Sequence, residues 1–175
     1  MKYKRAIGID PGNSGAIAFI YDEPEDLIIF DMPIVKEKNG KTKKGKDKYK
    51  IYLDELEFKE ILTWAKPEIV FIEKSQAMPK QGVSSMFHYA VSFGIIRGIC
   101  IGLNIPYKLI TPTSWKKGLG IHNKRKLKRT GFDIKKELKE KSIQLAKQLY
   151  PKADIGKSDG RAEALLILHY GIFFL

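Results

Sequence analysis

Short apolar runs separated by turn residues dominate the first 32 positions. They predict strands over residues 3–10, 15–21 and 27–32, joined by the turn Pro11-Gly12-Asn13-Ser14-Gly15 and by an acidic turn over 22–26. Connections this short make a meander of antiparallel hairpins. Residues 36–50 carry almost no apolar side chain and read as a flexible basic loop. Leu53, Leu56, Ile61, Leu62 and Ala65 then share a helical face that runs to about Lys66, and Pro67 closes it. The apolar run over 69–72 ends in Glu73. It reads as a buried strand, parallel to the first because a helical crossover precedes it. After a polar loop, residues 83–103 predict a long helix with Ala90, Gly94, Gly98 and Gly102 one turn apart. Such a stripe permits close packing, either on the protein's own sheet or on the same helix of a second copy. A fifth strand is expected over 106–110, a short helix opening at Thr111 or Thr113, loop over 121–133, and helices over 134–150 and 159–174. The expected fold class is α/β, a five-stranded mixed sheet flanked by helices, in a single domain over residues 1–175.

Charge changes this picture most. The net charge is +12 and the isoelectric point about 9.6. Such an excess points to a polyanionic partner, nucleic acid first, against the plainer reading of a basic, soluble surface. The candidate phosphate contacts are Lys41, Lys43 and Lys44 in the first basic stretch, Lys80 in the polar loop, and Lys117, Lys124, Arg125 and Lys126 in the second. Cys100 is the single cysteine, so neither an internal disulfide nor a cysteine-based zinc site is possible. His88, His122 and His169 have no zinc-ligand spacing, and Trp64 and Trp115 read as packing residues. No apolar run is long enough to span a bilayer and no signal peptide is visible. The expected location is the cytoplasm of a bacterium or of a virus-infected cell.

The candidate chemistry lies in four carboxylates. Asp10 and Glu73 each end a strand, and the two strands are expected to be parallel neighbours. Asp159 and Glu163 stand four apart in the last helix and so share a face. Each has an ordinary alternative. Asp10 could cap the glycine turn, Glu73 could pair with Lys74, Lys80 or Arg97, and Asp159 could be an N-cap. Glu163, flanked by Ala162, Ala164 and Leu165, has the weakest one. Buried carboxylates gathered together repel, and a divalent cation relieves this. Oxygen-only ligands suit Mg²⁺, with Mn²⁺ as substitute. Two such ions on a phosphodiester activate water and stabilise the leaving oxygen. Acids at the centre of a basic chain therefore suggest a nuclease.

The runs Ile7-Gly8-Ile9-Asp10-Pro11-Gly12, Phe71-Ile72-Glu73 and Asp159-Gly160-Arg161-Ala162-Glu163-Ala164-Leu165 resemble the motifs of RuvC-type Holliday junction resolvases, particularly their phage and poxvirus-like branches. The resemblance covers nearly the whole chain in order. It implies an RNase H-like fold, a homodimer and Mg²⁺-dependent cleavage of Holliday or other branched DNA junctions, leaving 5′-phosphate and 3′-hydroxyl ends. By position it implies Asp10, Glu73, Asp159 and Glu163 as catalytic acids and metal ligands. The last pair is four apart, where many resolvases hold it three apart. It also implies Lys116 as the basic active-site residue, with Lys117 its near substitute. Some bacterial relatives place an aromatic wedge just after the second acid; here Lys74-Ser75-Gln76-Ala77-Met78 holds no aromatic, and Gln76 or Met78 is the candidate to enter the junction. The competing expectations are an RNase H-like nuclease for hybrids or flaps, a non-catalytic junction-binding protein, and an actin-like or sugar-kinase-like ATPase. The last needs a second glycine loop that the chain does not carry.

Overall fold

The computed structural model describes residues 2–41, 44–74, 82–121, 131–156 and 159–175. Lys43, Gln76, Met78, Lys80, His122, Lys124, Arg125 and Lys126 lie outside the described residues. The three N-terminal strands are β1 (Arg5–Asp10), β2 (Ala16–Tyr21) and β3 (Glu23–Asp31), paired antiparallel in sequence order. The acidic segment expected to be a turn is largely the start of β3, and Asp22 alone turns the chain at a φ of 58°.

Residues 36–41 and 47–50 are not loop. They belong to β4 (Ile34–Lys41) and β5 (Asp47–Leu53), a separate antiparallel ribbon with Ile34 opposite Leu53 and Lys38 opposite Tyr49. Its base is apolar, and its outer part is exposed on both faces. A ribbon held by backbone hydrogen bonds, with neither face covered, shows no alternation of apolar residues, so its composition imitates a loop.

Helix α1 (Glu55–Ala65) starts at Asp54, whose Oδ1 accepts from the Glu57 N–H at 3.0 Å. It ends at Lys66 in the left-handed region, ahead of Pro67. Strand β6 (Ile69–Glu73) then runs parallel to β1, with Ile9 opposite Ile72. Helix α2 (Val83–Gly102) returns the chain to β7 (Tyr107–Ile110), parallel to β6 with Glu73 opposite Ile110. The five-stranded mixed sheet therefore has the order β3-β2-β1-β6-β7. Thr111 caps α3 (Pro112–Gly118), and α4 (Gly131–Leu149) and α5 (Asp159–Phe174) complete the chain. Residues 131–133, expected as loop, are the start of α4.

Alternation along β1 divides the core. Ile7 and Ile9 face α1 and α2, packing with Phe58, Leu62, Ile96 and Cys100. Ala6 and Gly8 face α5. A Cβ on Gly8 would strike the carbonyl oxygen of Ala164 and the backbone of Leu168, so α5 lies directly on the strand. The glycine stripe of α2 does not pack on the sheet: nothing among the described residues stands within 4 Å of where a Cβ on Gly94, Gly98 or Gly102 would sit. Phe87, Val91 and Ile101 beside it are exposed. No helix of the described residues is long and apolar enough to cross a membrane.

Candidate active site

The parallel pairing of β1 and β6 brings two acids together. Asp10 and Glu73 each follow directly on the paired residues Ile9 and Ile72. Helix α5 adds the other two. Gly160 lets its first turn sit against the 14–15 turn, since a Cβ there would collide with the Ser14 carbonyl oxygen. Arg161 fixes the same turn from outside, donating through Nε to Asp31 Oδ1 at 2.6 Å and through Nη1 to Asp154 Oδ2 at 3.2 Å. Asp31 is held below the usual carboxylate range, chiefly by that hydrogen bond. All four predicted acids thus occupy one electrostatic neighbourhood. The pKa of Asp10 is pushed up to about 7, by burial first, then by the charges of Glu73 and Glu163, and least by Asp159, while a hydrogen bond from Gly12 opposes the rise.

Each acid has a definite partner. Asp10 Oδ1 accepts from the Gly12 N–H at 3.3 Å, so it also caps its turn. Glu73 accepts from the indole Nε1–H of Trp115 at 2.8 Å. Burial raises its pKa, the Trp115 bond and Lys116 lower it, and Glu163 raises it. The alternative pairing of Glu73 with Arg97 is not made; Arg97 Nε donates to the Tyr107 hydroxyl at 3.2 Å instead. Glu163 binds Lys116 Nζ at 2.8 Å, with both side chains largely buried, and Lys116 also lies 4.7 Å from the Trp115 ring centroid. Asp159 binds Lys139 Nζ at 2.5 Å. Burial alone would lower the Lys139 pKa, but the Asp159 hydrogen bond outweighs it, and the net shift is upward.

Two of these partners were not read from the sequence as partners of an acid. Trp115 is fully buried, as a packing residue should be, but it also orients an acid. Lys139 stood unremarked within the second basic stretch; its signal is that it lies one helical turn before Ser142 and two before Ala146, both fully buried. Of the predicted phosphate contacts, Lys41 and Lys44 lie at the end of the ribbon and Lys117 on α3, all exposed. Trp64 is packed edge-on to Phe19 and Phe30 yet remains 59% exposed. His169 is bonded through Nδ1 to the Tyr150 hydroxyl at 2.9 Å, far in role from any ligand.

Among the described residues, no three carboxylate or imidazole groups close on one point as ready-made metal ligands. The donor set nevertheless fits a hard divalent cation. It is all oxygen, and its most buried member has a pKa near 7, first because burial disfavours its charge and then because neighbouring carboxylates crowd it. Lys116 and Lys139 now hold the outer two acids, so ion binding at all four requires those lysines to let go.

No protein-family profile matches the chain, and no curated protein sequence matches it. Solved structures do. The chain is similar to Thermus thermophilus RuvC in complex with a Holliday junction substrate, with a TM-score of 0.57 and 16% identity over 97% of this chain and 93% of that one. It is similar to Thermus thermophilus RuvC by itself at a TM-score of 0.53 and 15% identity, over 97% and 94% of the two chains. Likeness at that identity is likeness of fold: the chain has the RuvC-type, RNase H-like α/β fold.

Proposed function

We propose that this protein is a divalent-metal-dependent endonuclease that hydrolyses phosphodiesters in branched DNA, four-way Holliday junctions above all. The observation that carries this reading is the clustering of Asp10, Glu73, Asp159 and Glu163 in one field, deep enough to move Asp10 to about 7, inside a chain of net charge +12. A structural ion-pair network would neutralise its acids. Here Asp10, the central acid, makes no ion pair among the described residues, and Lys139, paired with Asp159, is the lysine whose charge reaches it.

The four acids would hold Mg²⁺ or Mn²⁺, which when bound supply Lewis acidity towards water and the phosphate. The chain's own groups do the remainder. Trp115 fixes the orientation of Glu73 and so the acid pair at the ends of β1 and β6. Lys116, released from Glu163, is a buried cation beside the reacting phosphate, where it can stabilise charge as it develops. Exposed lysines on the ribbon and on α3 neutralise phosphates along the strands.

Cutting a junction symmetrically takes two copies. The uncovered face of α2 supplies the seam: Gly94 and Gly98 let two backbones approach, and Phe87, Val91 and Ile101 give the apolar rim. The deciding experiment is incubation of the purified protein with an end-labelled four-way junction and Mg²⁺. Paired nicks near the point of strand exchange are expected, with Asp10→Asn inactive by at least about 100-fold, as for loss of a metal ligand or its support. Preference for an RNA–DNA hybrid, or equal cutting by the Asp10→Asn variant, would replace this reading.

A further inference from the structure

Between the ribbon, the start of α2 and the turn after Asp10 lies a cavity of about 620 Å³, within the ~300–1,000 Å³ of small-molecule sites. The established arrangement of acids does not use it. Lys48, Tyr49 and Lys50 of β5 form one wall, His88 of α2 another, and Asn13 and Ser14 the third. Each wall contributes a different chemistry. Lys48 and Lys50 are exposed cations with no ion pair among the described residues. Tyr49 presents a half-exposed ring, 50% accessible. His88 is held edge-on to Tyr52, with ring centroids 5.6 Å apart, so its orientation is set from behind. Asn13 and Ser14 bring an amide and a hydroxyl, three and four residues after Asp10, in a turn closed by the Gly15 N–H to Gly12 carbonyl bond at 2.8 Å.

Cations, ring faces and amide-type hydrogen bonding together match one ligand class, a nucleotide. Phosphate goes to the lysines, the base to the rings, and its edge to Asn13 or Ser14. We infer that this cavity receives a single unpaired nucleotide of the DNA strand held at the acid centre. The turn forming the third wall is the one that follows Asp10, so a strand crossing the acids runs past the cavity. A branch point is also where a base leaves its stack at least cost. The ribbon is then a clamp that selects DNA with a free nucleotide over uniform duplex, and it is this selection that gives structure preference. The inference rests on the branched-DNA reading above for its partner, but not on cleavage.

The test uses the full chain, Ca²⁺ in place of Mg²⁺, and direct binding to a four-way junction and to a plain duplex of equal length. Tyr49→Ala removes an exposed ring and no core contact. It is expected to weaken junction binding about tenfold and duplex binding less than twofold, with Tyr49→Phe restoring both. A junction carrying an abasic residue beside the exchange point should lose the same tenfold with the unaltered protein, and nothing further with Tyr49→Ala, since both remove one contact. If Tyr49→Ala weakens junction and duplex alike, or if the two losses multiply at every abasic position tried, the cavity does not hold a base. A protein that shows the coupling yet cuts nothing in Mg²⁺ refutes the nuclease reading and leaves the nucleotide site standing. One that cuts junctions without the coupling does the opposite.

Discussion

Asp10 carries a conflict that can be measured without any DNA. Its pKa is 3.8 as an ordinary side chain and about 7 in the fold. Between those values the folded chain holds a proton that the unfolded chain has released. Stability from this group is therefore full below about pH 4, falls as pH rises towards 7, and stays low above it. The difference is on the order of 4 kcal/mol. In chelator, Asp10→Asn should raise the melting temperature at pH 8 and leave it nearly unchanged at pH 4; scanning calorimetry at both pH values checks this, and a loss at pH 8 would contradict it. Mg²⁺ should stabilise the unaltered protein at pH 8 by the same logic. Trp115→Phe keeps the bulk of a buried ring and removes the donor to Glu73. We expect a stability cost of about 1–3 kcal/mol and a 10–100-fold rise in the Mg²⁺ concentration needed for cleavage, read from a metal titration of rate. The placing of Asp10 and Glu73 at the ends of adjoining strands was legible in the sequence because a carboxylate at the end of an apolar strand is anomalous in one dimension. Their partners were not. Trp115 meets Glu73 across 42 positions, and nothing in the local pattern of either residue announces the other.

The elements that pack on the sheet were readable because burial writes a period into them. Strands β1, β2 and β6, covered on both faces, are continuous apolar runs; the parallel placement of β6 followed from its crossover helix. The ribbon of β4 and β5 escaped because its outer part is exposed among the described residues, and a segment without burial leaves no period to read. The glycine stripe of α2 was visible, but its direction was not: facing the sheet and facing away use the same letters. Helix α5 is the element on which the site depends most, since it lies on β1 through Gly8 and carries two of the four acids. Gly8→Ala should force the helix and strand apart, costing about 1–3 kcal/mol and moving Glu163 relative to Asp10. Urea midpoints and cleavage rates measured together check this; an unchanged midpoint would show that α5 does not sit as close as described.

The whole chain joins a net charge of +12 to a cluster of four acids, and the paired cutting proposed above would take two copies to present two such clusters. Gly98→Leu is a clean test of that assembly. In one chain no described residue stands within 4 Å of a Cβ at this position, and leucine favours the helix over glycine by somewhat under about 1 kcal/mol. The variant should be at least as stable as the parent and monomeric by light scattering, with paired nicking lost; a variant that stays dimeric would place the seam elsewhere. The contact of α5 with β1 bears on a different matter, the order in which the chain is made. Asp10 and Glu73 leave the ribosome early, whereas Asp159 and Glu163 come more than 80 residues after Glu73. At 5–20 residues per second that interval lasts roughly 4–17 s. Through it the growing polypeptide bears lysines able to grip nucleic acid and only half of its acids. On the nuclease reading proposed above, a nascent chain would carry lysines for nucleic acid before α5 brings the second pair of acids to Asp10 and Glu73.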